Sequence, residues 1–94
     1  MKIRAHLFIS GMVQGVFFRV EVRKEAKMRS IFGWIRNVSD GRVESIFEGE
    51  KENVGKLITY CKRGPQGAKV TNIDVTWEEY IGKFKSFEIR KTTT

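Results

Sequence analysis

Apolar and polar residues alternate over the first ten positions of the chain, which is the period of a strand with one buried face. The apolar positions of this first strand are Ile3, Ala5, Leu7 and Ile9. A similar alternation of Ile73, Val75 and Trp77 predicts a strand over 70–78. Phe84, Phe87 and Ile89 indicate a short final strand. The sequence therefore predicts extended structure near both ends of the chain.

Two other segments carry apolar residues at helical spacing. Phe18, Val22 and Ala26 lie four positions apart and predict an amphipathic helix after a turn over 11–15. The second helix is predicted from Val54, Leu57, Ile58 and Cys61, which recur at i, i+3, i+4 and i+7. The second helix begins with acidic residues and ends with basic ones, which suits the helix dipole. Gly64 follows it, at the position just past a helix that favours glycine.

Between the helices, residues 32–38 and 42–48 flank Ser39-Asp40-Gly41, where Asp-Gly favours a tight hairpin. The predicted order is β-α-β-β-α-β with one extra strand. Two helices separated by a hairpin bury their apolar stripes on one sheet, so we predict an α+β, ferredoxin-like βαββαβ sandwich. The sheet is expected to be antiparallel, with both helices on one face and a short extra C-terminal strand.

The chain has 94 residues, which suits one domain over 1–94, with 92–94 as a frayed tail. Its net charge of +7 suits an anionic partner, but a basic surface also serves solubility alone. Cys61 is the single cysteine, and no Cys/His set has metal-ligand spacing. We therefore expect a metal-free protein. No apolar stretch approaches membrane-spanning length, so we also expect a cytoplasmic protein that does not bind membranes.

The segment GMVQGVFFR, residues 11–19, connects the first predicted strand to the first predicted helix. A Gly-rich loop that opens a helix is suited to bind an anion, because the first helical N–H groups lack internal partners. Arg19 would lie in the first helical turn, where its charge opposes the helix dipole unless an anion is bound. An ordinary surface arginine after an ordinary turn is the alternative.

These residues resemble the first signature of acylphosphatases, G-x-V-Q-G-V-x-F-R, with every specified position filled. A second pattern of that family, G-aromatic-small-basic-N-x3-G-x-V-x5-G, is matched by the stretch from Gly33 to Gly49, which includes Asn37. Two departures stand outside the residues expected to react: Ile35 is larger than usual, and Met12 occupies a position that is often basic. The resemblance extends over nearly the whole chain and implies the same ferredoxin-like fold.

The resemblance implies hydrolysis of the carboxyl-phosphate bond of acyl phosphates by a monomer without a cofactor. It implies that Arg19 and backbone N–H groups of a loop bind the phosphoryl oxygens, and that Asn37 orients the attacking water. The loop residues are Gln14, Gly15, Val16, Phe17, Phe18 and Arg19. The expected partners are a small acyl phosphate as substrate and inorganic phosphate as product, with no nucleic acid. A carboxylate leaves as a weak base, which fits a sequence with one histidine and no visible acid/base pair.

Two alternatives remain from the sequence. An RNA-binding module of the same topology would carry paired aromatics on its central strands, but Arg42 to Glu48 lacks that pattern and contains two acids. The other is an acylphosphatase-like domain that binds acyl phosphate without turnover. We interpret His6 as a sheet-surface residue, Cys61 as a core thiol, and the aromatics Phe8, Trp34 and Trp77 as packing residues.

Overall fold

The structure is a computed structural model and describes residues 1–92. Its elements are β1 (Lys2–Met12), α1 (Phe18–Met28), β2 (Phe32–Asn37), β3 (Val43–Glu50), α2 (Lys51–Arg63), β4 (Lys69–Glu78) and β5 (Phe87–Ile89). This is the predicted order, and the α+β ferredoxin-like prediction is confirmed. The tail predicted to fray is 92–94, of which Thr93 and Thr94 lie outside the described residues.

The five strands form one sheet in the order β4-β1-β3-β2-β5. The four main strands pair antiparallel, whereas β5 pairs parallel with β2, so the sheet as a whole is mixed. Between β4 and β5 the chain crosses the face of the sheet opposite the helices. On the way, the backbone N–H groups of Ile81 and Gly82 donate to the carboxylate of Glu48 of β3, at 3.0 and 3.2 Å. That crossing carries β5 from one edge of the sheet to the other.

A single core lies between the sheet and both helices. The predicted stripes of the two helices are buried in it: Phe18, Val22 and Ala26 from α1, with Val54, Leu57, Ile58 and Cys61 from α2. Ala5, Leu7 and Ile9 supply the core face of β1 and are fully buried. The period-2 and period-3.6 patterns thus correctly identify the faces that pack together.

Strand β1 is longer than its alternation predicts, and the predicted turn over 11–15 begins later, after Met12. The pairing of β1 with β4 shifts register between Ser10 and Gly11, which is a β-bulge. Gly11 has φ +125°, and a Cβ there would lie 2.0 Å from the carbonyl oxygen of Lys69. Gly11 therefore belongs to the strand, where close contact with β4 requires glycine, and not to the loop.

The register places the C-terminal end of β1 and the C-terminal end of β2 on the same side of the sheet, where the strands end. Val43, the first residue of β3, is opposite Ile9 in β1 and opposite Asn37 in β2. The loop that follows β1 and the residue that ends β2 are therefore neighbours across β3, although more than twenty residues separate them in the chain.

Candidate functional site

The loop over 13–17 joins β1 to α1 and is held at both ends by the core. Val13 and Phe18 are each 1% exposed, and Val16 packs against the same core. Gly15 and Phe17 have left-handed backbone, with φ +74° and +58°. Such residues within a turn direct successive N–H groups toward one side, which forms a concave site for anions.

The backbone N–H groups from Gln14 to Arg19 donate no hydrogen bond to any described residue. Phe17 is the N-cap of α1 and makes no side-chain capping bond, and the first backbone bond at this end runs from the N–H of Glu21 to the oxygen of Phe17, at 3.1 Å. Unpaired N–H groups at a helix start carry partial positive charge. This turn can therefore donate several hydrogen bonds to an anion.

Arg19 is the second residue of α1 and is half-buried. Within residues 1–92 its guanidinium forms no ion pair, although most of the other arginines contact a carboxylate or an aromatic ring. A cation at the positive end of a helix is unfavourable by about 0.3–1 kcal/mol unless an anion compensates it. A cavity of about 310 Å³ beside Arg19 is lined by Val13, Gly15, Phe17, Phe18, Arg19 and Val20.

Gln14 connects this loop to the β2–β3 turn. Its side-chain Nε2 donates to the carbonyl oxygens of Val38 and Arg42, both at 2.8 Å. In the same turn the N–H of Val38 donates to the oxygen of Arg42 at 2.8 Å. The Gln14 amide thus joins the loop to the residue directly after Asn37.

Asn37 ends β2 and is half-buried. Its Oδ1 is the one buried side-chain nitrogen or oxygen in the described part of the chain that has no hydrogen-bond partner. A buried acceptor without a donor costs about 1–3 kcal/mol, so such atoms require an explanation. A water that donated a hydrogen bond to Oδ1 would satisfy this acceptor.

The structure brings the predicted residues Gln14, Gly15, Val16, Phe17, Phe18 and Arg19 into one loop and helix start. Asn37 does not line the Arg19 cavity and is joined to the loop through Gln14. Sequence reasoning considered only the backbone N–H of Gln14 and missed its side chain. The signal available in the sequence was a lone amide side chain between an apolar residue, Val13, and Gly15.

The face of the sheet opposite the helices carries ion pairs. Glu44 accepts from His6 at 2.6 Å and from Arg36 at 2.7 and 2.9 Å. Burial by itself raises the pKa of Glu44, but these hydrogen bonds and charges outweigh it, so the pKa lies below its ordinary value. His6 is thus a half-buried sheet residue, in agreement with its sequence-based interpretation.

The aromatic residues of this face do not form a platform. Phe8 packs under the guanidinium of Arg42, at 4.3 Å from the ring centroid. Trp34 is 8% exposed and contacts the guanidinium groups of Arg36 and Arg90. Trp77 lies on the other face of the sheet, opposite Ala5 of β1, and is 59% exposed, so it does not pack in the core. Its position on the edge strand β4 leaves its ring without a neighbouring strand on one side.

No group of three or more His, Cys, Asp or Glu residues in the described part of the chain is arranged to hold a metal ion. Across residues 1–92, none of the helices combines the length and apolar character needed to cross a membrane.

Comparison with known proteins gives a consistent result. A family model described as acylphosphatase matches residues 5–89. The chain is 49% identical over 88 residues to an acylphosphatase of Pelotomaculum thermopropionicum, covering 94% of this chain and 96% of the relative. It is 50% identical over 91 residues to one of Pyrobaculum islandicum, covering 96% of each. The crystal structure of acylphosphatase from Bacillus subtilis superposes with a TM-score of 0.90 at 35% identity, covering 94% of this chain and 98% of that one.

Proposed function

The chain belongs to the acylphosphatase family, and on that premise we propose that it hydrolyses the carboxyl-phosphate bond of small acyl phosphates. The products are a carboxylate and inorganic phosphate. The observation that carries this proposal is the run of unpaired N–H groups from Gln14 to Arg19, beside a guanidinium that forms no ion pair with the described residues.

The phosphoryl group binds to these N–H groups and to Arg19. Phosphoryl transfer depends mainly on positioning and on stabilising negative charge on the equatorial oxygens. A guanidinium offers paired donors in a fixed plane, and the loop N–H groups are held in place by the buried Val13 and Phe18. Binding also removes the unfavourable interaction between Arg19 and the helix dipole.

Asn37 orients the water that attacks phosphorus. Its Oδ1 accepts a hydrogen bond from that water, which leaves a water lone pair free for the attack. The oxygen-phosphorus bond forms while the bond to the carboxylate oxygen breaks. Since an amide does not take up a proton at neutral pH, the proton of the water passes to a phosphoryl oxygen of the substrate.

The leaving group needs no general acid, because a carboxylate is a weak base. The reaction therefore requires neither an acid/base pair nor a metal ion or other cofactor, and we propose that the enzyme uses none. Action as a cytoplasmic monomer also stays a prediction, which light scattering of the purified protein and fractionation of cells will test.

The RNA-binding alternative is disfavoured by the residues on the face of the sheet opposite the helices. On the central strands β1 and β3 this face presents Phe8 opposite Glu44 and Arg4 opposite Glu48, and both glutamates are buried and hydrogen-bonded. On this face β3 carries Glu44, Ile46 and Glu48, and no aromatic residue that would stack RNA bases together with Phe8. Titration with single-stranded RNA at two salt concentrations is expected to give only weak, salt-sensitive binding.

The central experiment compares benzoyl phosphate hydrolysis by the wild type, Arg19→Ala and Asn37→Ala, with and without chelator. Each substitution is expected to lower kcat about 10²- to 10³-fold, the effect of removing one donor or positioning group from a preorganised site. Arg23→Ala on the same helix and Asn72→Ala on β4 are the matched controls. Full activity in either site variant would contradict its role, and loss of activity with chelator would contradict the metal-free mechanism.

The fate of the proton has its own test. The solvent isotope effect and the pH–rate profile of the wild type are compared with those of Asn37→Ala. Substrate assistance predicts no ionisation of an enzyme base in either profile. A well-defined enzyme base in the wild-type profile would rule substrate assistance out. A folded wild type that binds acyl phosphate without hydrolysing it would instead support the binding-domain alternative.

A further inference from the structure

We propose that Phe17 and Val20 form an apolar surface that binds the acyl group of the substrate, so that the enzyme prefers acyl phosphates whose acyl group is aromatic or alkyl and uncharged. This inference rests on the proposed function, since it concerns the other half of the same substrate. It assigns a role to two apolar side chains that the phosphate-binding loop and the core do not use.

Phe17 combines two unusual properties. It is 79% exposed, although a phenylalanine side chain normally contributes to stability by being buried. Its backbone is left-handed, with φ +58°, which is unfavourable by about 1–2 kcal/mol for a residue that has a Cβ. Strain of this kind is concentrated at functional sites. The strained backbone holds the ring outside the core at the start of α1.

Val20 lies three residues after Phe17 and is 37% exposed. Residues three apart at a helix start are neighbours on its surface, so the two side chains form one apolar area. Both residues line the 310 Å³ cavity that contains Arg19. Both also line a second cavity of about 410 Å³, together with Val16, Glu21, Pro65 and Gln66. The Phe17–Val20 surface thus separates the phosphate site from a neighbouring cleft.

The position of the acyl group follows from covalent geometry. A phosphoryl group bound by the N–H groups of 14–19 is in direct contact with the backbone of Phe17 itself. The acyl carbon is one oxygen atom away from phosphorus, so the acyl group lies within reach of side chains that border the loop. An aromatic or alkyl group that covers Phe17 and Val20 removes apolar surface from water, at about 25 cal/mol per Å².

The second cavity also discriminates against charge. Glu21 is the single charged residue that lines this cavity. Its carboxylate forms an ion pair with the exposed Lys24, with 3.6 Å between Nζ and Oε2. A second negative charge on the acyl group would lie beside this carboxylate and lose water without gaining a cation. The net charge of +7 attracts all acyl phosphates from a distance and does not distinguish among their acyl groups.

The test compares kcat/KM for three substrates: acetyl phosphate, benzoyl phosphate and 4-carboxybenzoyl phosphate. The wild type is expected to prefer benzoyl over acetyl phosphate by about tenfold, and benzoyl over 4-carboxybenzoyl phosphate by a similar factor. In Phe17→Asn the first ratio is expected to fall about five- to tenfold, because asparagine tolerates left-handed backbone but offers no apolar ring. Phe17→Leu keeps most of the ratio. Glu21→Gln raises the 4-carboxybenzoyl rate relative to the benzoyl rate about two- to threefold.

Met12→Thr is the matched control, because Met12 is also an exposed apolar residue, at 64%, but lines neither cavity. The substrate ratios of this variant are expected to equal those of the wild type. Inhibition by inorganic phosphate is measured in every variant as a reading of the loop alone. Equal substrate ratios in the wild type and Phe17→Asn would overturn the inference. So would a fall in all three rates of Phe17→Asn that matches its loss of phosphate inhibition. Failure of the wild type to hydrolyse any of the three would instead overturn the proposed function, and this inference with it.

Discussion

The side-chain amide of Gln14 donates a 2.8 Å hydrogen bond to the carbonyl oxygen of Val38, the residue that follows Asn37. A second bond of the same length reaches Arg42, so one amide occupies two carbonyl groups of the β2–β3 turn. The proposed phosphate loop and the proposed water-orienting residue belong to different elements, and this contact links the loop to the residue directly after Asn37.

Replacing Gln14 by methionine keeps the length of the side chain but removes two hydrogen bonds, so each carbonyl oxygen keeps only its backbone donor, Gly41 for Val38 and Val38 for Arg42. We expect kcat to fall about tenfold and the free energy of unfolding to fall by about 1–3 kcal/mol. KM and inhibition by phosphate should change less than kcat, since the backbone N–H of residue 14 remains. Gln66→Met, at an exposed position without hydrogen bonds in the described structure, is the control for stability. A wild-type kcat in Gln14→Met would show that the contact does not align the site.

Alanine substitutions separate two reasons for glycine. At Gly11 a Cβ would overlap a backbone carbonyl oxygen at 2.0 Å, so Gly11→Ala is expected to destabilise the protein by about 3 kcal/mol or more. At Gly15 nothing lies within 4 Å, and the expected loss of about 1–2 kcal/mol comes from φ +74° alone. Urea unfolding of the two variants measures the difference. Equal losses would contradict this distinction.

Gly55 provides a substitution of opposite sign. It lies inside α2 with ordinary helical backbone and open space at its Cβ position. Gly55→Ala is expected to stabilise the protein by about 0.5–1 kcal/mol, because glycine lowers helix stability by that amount. Thermal unfolding should show a higher Tm with unchanged activity. A lower Tm would contradict the open space at the Cβ position of residue 55.

The His6–Glu44–Arg36 contacts make stability depend on acidity. The pKa of Glu44 is lower in the folded protein than in the unfolded chain, so the ionised carboxylate stabilises the fold. This stabilisation is complete above the unfolded pKa, about 4.5, and is lost as the pH falls toward the folded pKa. We therefore expect the free energy of unfolding to decrease below about pH 5. In Glu44→Gln that decrease should be smaller, so the difference from wild type narrows between pH 7 and pH 3. A constant difference would contradict a lowered pKa.

Cys61 is expected to be unreactive in the folded protein. It is fully buried on α2, and burial raises the pKa of its thiol to about 12. Above its raised pKa the thiol would ionise, so at pH 8 it stays neutral and shielded. A thiol reagent such as DTNB should react only at the rate of unfolding, and immediately in urea. Rapid reaction under native conditions would show that α2 opens locally.

The local patterns of the sequence determined the elements and their buried faces, because period-2 and period-3.6 repeats depend only on backbone geometry. They also indicated a loop suited to an anion, since Gly15 and the start of α1 are adjacent in the chain, but they left an ordinary turn with a surface arginine as the alternative. The motif around Asn37 suggested a water-orienting residue by resemblance alone. Nothing in residues 33–37 by themselves distinguishes that asparagine from one at an ordinary strand end.

Contacts between distant segments were decided only by the tertiary structure. The bulge at Gly11 depends on β4, and the parallel pairing of β5 depends on a chain crossing anchored at Glu48. The hydrogen bond from Gln14 to Val38 spans 24 residues, and the exposure of Phe17 depends on how the core fills. Each of these features depends on contacts between residues that are far apart in the chain. The periodicity of apolar residues describes only neighbours in the chain, so it does not predict such contacts. The sequence thus determined the elements and their buried faces, and the sheet register determined that the loop after β1 and the end of β2 are neighbours across β3.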